Sequence, residues 1–348
     1  RTIMDNSRGK KNRKSKKNKI LRWVIATSIV LLLVSISYGS FAFFKVKNAM
    51  DDSKVDLQRK NNRSELREEE VTFSKDPVSI LLLGIEDYSS KKKDGRADTQ
   101  IVMTLDPNTK KVHMVTIPRD TRVNIENAGE YSGIHRINSA YTYGELSGYG
   151  EAKLQVETVE KLLNIPIDHF VAINFEAFRD VVDALGGVTI DIKKGFWEEN
   201  IYNKKKIHFK KGEAHLSGEE ALAFVRMRKR VENVTYSREE RQRQFLKATV
   251  EQVLKTGTIL KVGQLSDILG KNIETDLTFN DLYALQKQYT KLNNLSINLI
   301  DIEGTDQLVN KVYYYIPNRQ NLSEVSDRLR TILKLNKTEF ITNADFGQ

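Results

Sequence analysis

At 348 residues, with 39% hydrophobic and 29% charged side chains, the chain has room for one large domain or two smaller ones plus an apolar segment, which excludes a disordered or multi-span protein. It contains no cysteine, so a disulfide framework, a thiolate metal site and thiol redox chemistry are excluded. The formal charge of +10 is concentrated in residues 1–22, where ten Lys or Arg face one Asp; that surplus of +9 leaves +1 for the rest, too little for the basic footprint of a nucleic-acid binder.

In chain order, residues 1–22 read as a basic cytoplasmic tail. Residues 23–44, WVIATSIVLLLVSISYGSFAFF, carry no side chain that is charged at neutral pH. As a helix rising roughly 1.5 Å per residue they would span about 33 Å, enough for a hydrocarbon core of about 30 Å. The stretch is too long, and too bulky at its end, for a cleavable signal peptide, so a single-pass signal anchor in the bilayer of a cell membrane is expected. The basic run before it is far denser than Lys45 and Lys47 after it, which sets the tail inside and everything that follows outside. Residues 45–75 are polar and charged, ending in SELREEE, and predict a solvated stalk. An extracellular domain is expected over 76–348.

The domain opens with VSILLLG at 78–84, a continuous apolar run suited to a buried strand. Strands are also expected at 100–105 and 111–117, joined through the turn signal DPNT as a hairpin. Helical spacing marks 151–163 and 175–185, the latter stopping at Gly186-Gly187, and a strand follows at 188–192. A helix is expected at 218–224, with 225–228 extended beyond it. Residues 238–255 form an amphipathic helix that Ser237 can cap, with Glu240 three residues on. Strands alternating with helices predict an α/β domain around a layered mixed sheet.

Charge gathers where these elements end. GIEDYSSKKKDGRADT at 84–99 supplies Glu86, Asp87, Asp94, Arg96 and Asp98, and IPRDTRV at 117–123 supplies Arg119, Asp120 and Arg122. In FVRMRKR at 224–230, Arg226 and Arg228 would share one face of an extended segment. Arg238, Arg241, Gln242 and Phe245 share one side of the helix that follows. Guanidinium forks match phosphate oxygens, and carboxylates with open positions suit Mg²⁺ bridging protein to phosphate. Together these groups describe a pyrophosphate clamp. Singly, each arginine could as well pair with a neighbouring acid. The GxSxG, GxxxxGK[ST], GxGxxG and HExxH templates are absent, and His135 reads as a structural hydrogen-bonder.

The runs VSILLLGIED, GRADT, IPRDTRV, HRINSAY, KGEAHLSGEEALAFVRMR and REERQRQF stand in that order between residues 78 and 245, after one N-terminal anchor. In this the chain resembles the LytR-CpsA-Psr family of cell-wall glycopolymer ligases. The resemblance implies a Gram-positive cell-surface enzyme that binds a polyprenyl-pyrophosphate-linked glycopolymer, such as wall teichoic acid or capsule, with Mg²⁺ or Mn²⁺. Such an enzyme transfers the glycan phosphate to a muramic-acid hydroxyl of peptidoglycan. It further implies that Asp98 and an acid at Glu86 or Asp87 hold the metal. Arg119, Arg226, Arg228, Arg238 and Gln242 would grip the phosphates, joined by Arg122 and Arg241. Asp120 would orient an arginine or assist proton removal. Family members usually carry aspartate where Glu86 stands, which leaves the metal ligand open between Glu86 and Asp87, and Thr235 occupies the place of another frequent aspartate. Two other readings share these residues: hydrolysis of the same lipid-linked substrate, and a non-catalytic membrane sensor of such precursors.

Overall fold

The computed structural model describes residues 45, 47–48, 54–87, 95–227, 236–256, 273–289 and 296–347. The expected tail and membrane segment lie outside them, and among the described residues no helix is long and apolar enough to cross a membrane.

Strand β1 (Val78–Glu86) is apolar on both faces because both are covered. It pairs antiparallel with β2 (Arg96–Asp106), which turns through residues 107–110 into antiparallel β3 (Lys111–Thr116), as the hairpin signal predicts. A short hairpin follows, β4 (Arg122–Ile125) with β5 (Gly133–Arg136), then helices α1 (Ser139–Ser147) and α2 (Glu151–Leu163). Strand β6 (His169–Asn174) joins β1 in parallel.

Helix α3 (Phe175–Ala184) leads into β7 (Val188–Ile192), the hairpin β8 (Phe196–Glu199) and β9 (Lys206–Phe209), and β10 (Gly212–Leu216), which pairs with β7. Helices α4 (Gly218–Arg226) and α5 (Arg238–Thr256) follow, then β11 (Ile273–Thr275), α6 (Phe279–Tyr289) and β12 (Ser296–Asp301). The hairpin β13 (Gly304–Val309) and β14 (Val312–Pro317) precedes the last helix, α7 (Arg319–Ile332). The main sheet has the order β11-β6-β1-β2-β3-β12 and mixes parallel with antiparallel pairs, so the expected α/β mixed sheet is present.

Alternation along β1 divides the core. Leu81 and Leu83 face a cluster with Val102, Leu154, Val159, Leu322 and Leu329, drawn from β2, α2 and α7. Val78 and Ile80 face the other way, with Ile101, Val112, Met114 and Tyr289. A third cluster, with Ile190, Phe196, Phe209, Phe224 and Phe245, holds β7–β10 against α4 and α5.

Two expectations are corrected. Residues 54–75 are not a solvated stalk, because Leu57 and Phe73 are buried in the first and second clusters. Arg67 is buried as well: Nε and Nη2 donate to the Asp168 carboxylate at 2.9 and 2.7 Å, and the remaining donors reach the carbonyls of Leu333 and Pro77. A fully partnered guanidinium can enter a core that a lone one could not. Residues 225–226 are not extended either. Helix α4 continues through Arg226, because the Ser217–Glu220 capping box secures its start and Met227 N–H still donates to the Ala223 carbonyl at its end.

Candidate active site

The pairing of β1 with β2 breaks at one point. Gly84 lies opposite Thr99 and Ile85 opposite Ala97, so Asp98 is the extra residue of a β-bulge. A bulge re-aims the side chain it carries, and here it delivers a carboxylate to the end of the sheet. Gly84 permits the approach: a Cβ on it would stand 3.0 Å from Thr99 Cβ.

Three segments converge on Asp98. Arg119, in the loop after β3, donates from Nη1 to Asp98 Oδ2 at 2.6 Å. Arg238, the first residue of α5, brings Nη1 to 3.6 Å of the same oxygen. Asn138, just before α1, donates from Nδ2 to Oδ1 at 3.0 Å. Backbone bonds fix the loops to one another: Asn138 N–H donates to the Arg119 carbonyl at 3.2 Å, and Ala97 N–H to the Asn138 carbonyl at 3.3 Å.

Asp98 is 8% exposed, and burial alone would raise its carboxyl pKa. The charges of Arg119 and Arg238, with hydrogen bonds from Asn138 and Arg119, overcome that effect and hold the group below the usual carboxylate range. For Arg119 burial pulls the other way, and the Asp98 and Asp120 carboxylates raise its pKa instead. Its side chain keeps 31% exposure, so the guanidinium can meet a ligand while resting on Asp98.

Asp120 extends the network. It stands 3.5 Å from Arg119 Nε through Oδ2 and 3.5 Å from Arg136 Nε through Oδ1. Three guanidiniums thus face two carboxylates, an excess of positive charge suited to an anion with several phosphate oxygens. Arg226, at the end of α4, lies over the Phe175 ring at 5.1 Å. Gln242 is buried one turn after Arg238, with Nε2 3.4 Å from the Val225 carbonyl. Glu86 ends β1 opposite Arg96, Asp87 follows it, and both are half-buried. Arg228, Thr235 and Asp94 lie outside the described residues.

Two arginines grouped with the phosphate clamp do other work. Arg241 is 1% exposed, and its guanidinium donates to the backbone carbonyls of Phe224, Met227 and Tyr236, so it ties the end of α4 to the start of α5. Arg122 turns away to the C-terminal segment, pairing with Asp345 at 2.5 Å and lying over the Tyr314 ring at 5.4 Å. Conversely, the structure adds Asn138 and Arg136 to the cluster. Their one signal was the polar pair inside HRINSAY, where His135 rests edge-on against Tyr143 as a structural residue.

Residues 40–331 match the model of the LytR_cpsA_psr family. The chain belongs to this family. Among curated relatives it is similar to the polyisoprenyl-teichoic acid–peptidoglycan teichoic acid transferase TagV of Bacillus subtilis, 39% identical over 90% of this chain and 78% of that protein. The crystal structure of B. subtilis TagV matches with a TM-score of 0.65 at 38% identity, over 76% of this chain and 99% of TagV. A structure of the family protein TagT with bound octaprenyl pyrophosphate lipid matches with a TM-score of 0.62 at 32% identity, over 81% of this chain and all of that one.

Proposed function

We propose that this member of the LytR_cpsA_psr family is a membrane-anchored phosphotransferase acting outside the cell, moving teichoic acid or a related anionic glycopolymer from a polyprenyl diphosphate carrier to peptidoglycan. The observation that carries the reading is the ion cluster at the bulge, with Arg119 and Arg238 both on Asp98. The names of its relatives, and the diphosphate lipid bound by TagT, support the same donor and acceptor.

The chemistry follows from the geometry. A sugar hydroxyl of peptidoglycan attacks the glycan-side phosphorus, the bond to the second phosphate breaks, and polyprenyl phosphate leaves. Little covalent work falls to the protein, so the barrier is lowered by positioning and by neutralising charge on the phosphate oxygens. Arg119 and Arg238 supply that charge, with Arg226 and Gln242 beside them. Asp120, held between Arg119 and Arg136, orients the first of these arginines. The polyprenyl tail would lie on the second face of the sheet, where Leu82, Met103, Val171, Leu246, Leu282 and Leu285 are half-buried against the second cluster.

What supports Mg²⁺ as the ion is the Asp98 carboxylate lying among the guanidiniums that would grip the phosphates, where a cation could be shared with them. Among the described residues no group of three His, Cys, Asp or Glu encloses a metal, and Mg²⁺ commonly takes one or two carboxylates plus substrate phosphates. Asp98, with Glu86 or Asp87, would hold it, and the bound ion would neutralise charge on the diphosphate. Incubating the full chain with lipid-linked teichoic acid, Mg²⁺ and peptidoglycan should give a covalent conjugate. Chelation should stop the reaction, and Mg²⁺ or Mn²⁺ should restore it. Free phosphorylated polymer alone would mark a hydrolase, and no turnover a sensor; either overturns the reading.

A further inference from the structure

The hairpin of β13 and β14 presents an apolar face that nothing in the described structure covers. Tyr313 is 65% exposed and its direct cross-strand partner, Leu308, is 57% exposed. The turn between the strands has only Asn310 and Lys311, both with positive φ (50° and 68°), the conformation of a tight two-residue hairpin. Such a turn holds the two side chains together on a rigid support.

The hairpin is bonded directly to the catalytic loop. Tyr315 N–H donates to the Asp120 carbonyl at 2.8 Å. Arg136 Nε donates to the Tyr313 carbonyl at 2.8 Å while standing 3.5 Å from Asp120, which in turn contacts Arg119. The backbone that carries the exposed ring is therefore bonded to the ion cluster through Arg136.

We infer that Tyr313 and Leu308 form the platform on which the acceptor glycan strand lies while its hydroxyl reaches the diphosphate. This deepens the proposed transferase reading and rests on it. The chemistry of the face decides the class of occupant. A ring and a branched alkyl group carry no charge to hold a polyanion, so the teichoic acid itself is a poor match. Amino-sugar rings instead offer flat C–H surfaces that bury against an aromatic face while their polar rims stay wet.

The test measures binding of polymer-free, muramidase-solubilised peptidoglycan strands to the full chain in the absence of donor, and then the KM for those strands during transfer. Tyr313→Ala and Leu308→Ser should each weaken strand binding and raise the acceptor KM, by about tenfold for the tyrosine, as for a truncated interface aromatic. Tyr313→Phe should stay near wild type. Affinity for polyprenyl diphosphate, kcat and thermal stability should hardly change, because both side chains point into solvent. Unchanged strand affinity in Tyr313→Ala overturns the platform, even with full transfer by the wild type. So does loss of binding to phosphatidylglycerol vesicles with an unchanged acceptor KM, since the face would then meet the membrane. Failure of the wild type to make conjugate with normal, Tyr313-dependent strand binding would instead strike the transferase reading alone.

Discussion

Asn138 holds Asp98 by two routes at once, its Nδ2 donating to Oδ1 at 3.0 Å and its carbonyl accepting from the neighbouring Ala97 N–H at 3.3 Å. Because an ionised carboxylate can only accept, the amide must present its NH₂ group there. Asn138→Ala should leave the backbone bonds and remove the side-chain clamp, lowering kcat by about tenfold to a hundredfold as a group that positions charge is lost. Asn138→Asp should do worse near neutral pH, since a second carboxylate beside Asp98 disfavours ionisation of both. Steady-state kinetics with the lipid-linked donor checks both; wild-type rates in Asn138→Asp would remove Asn138 from the site.

Arg119 and Arg241 are both arginines of the conspicuous runs, yet they should fail differently. Arg119→Ala should reduce kcat by about a hundredfold to a thousandfold, with melting almost unchanged, as expected for a charge that acts on the transition state. Arg241→Ala empties a buried site and strands three carbonyls, so it should lower stability by about 3 kcal/mol or more and lose activity through unfolding. Differential scanning calorimetry beside the transfer assay separates the two.

That contrast marks how far the sequence could be read. Helix α2 and strand β7 fall at their expected bounds because apolar spacing and flanking stop residues are local signals. Helical spacing puts Arg238 and Arg241 on one side of α5 but says nothing of depth, and depth decides that one meets Asp98 while the other meets carbonyls. The bulge at Asp98 leaves no trace in composition; it exists only in the register of β1 against β2. The packing of residues 54–75 was hidden for a related reason, since the partner that lets Arg67 enter the core lies 101 residues away.

Arg67 gives a test of that packing. Its removal would leave the Asp168 carboxylate buried with only Ser79 as a hydrogen-bond donor near it. Arg67→Ala should therefore cost about 3–5 kcal/mol, the usual result of breaking a buried pair from one side. Urea unfolding of the chain measures it; a change below about 1 kcal/mol would mean an exposed pair instead.

His169 sets a pH dependence. Burial would lower its pKa, but the Asp276 carboxylate, 3.3 Å away, with further help from Asp281 and Asp168, raises it above 6.5. A raised folded-state value means that the protonated ring stabilises the fold fully below about pH 6.5 and that this contribution fades as pH climbs through the higher folded value. The melting temperature of His169→Asn should thus fall furthest below wild type near pH 6, and the gap should narrow by pH 9. A gap that widens with pH would reverse the assignment.

If the cluster at the bulge receives a lipid diphosphate, calorimetric titration with a short-chain polyprenyl diphosphate will register it. The wild type should bind it clearly and the matching monophosphate much more weakly, and affinity should fall by about a hundredfold when Arg119 and Arg238 are both replaced by alanine, as for two charge-assisted phosphate contacts. Equal affinity in the wild type and the double variant would contradict it.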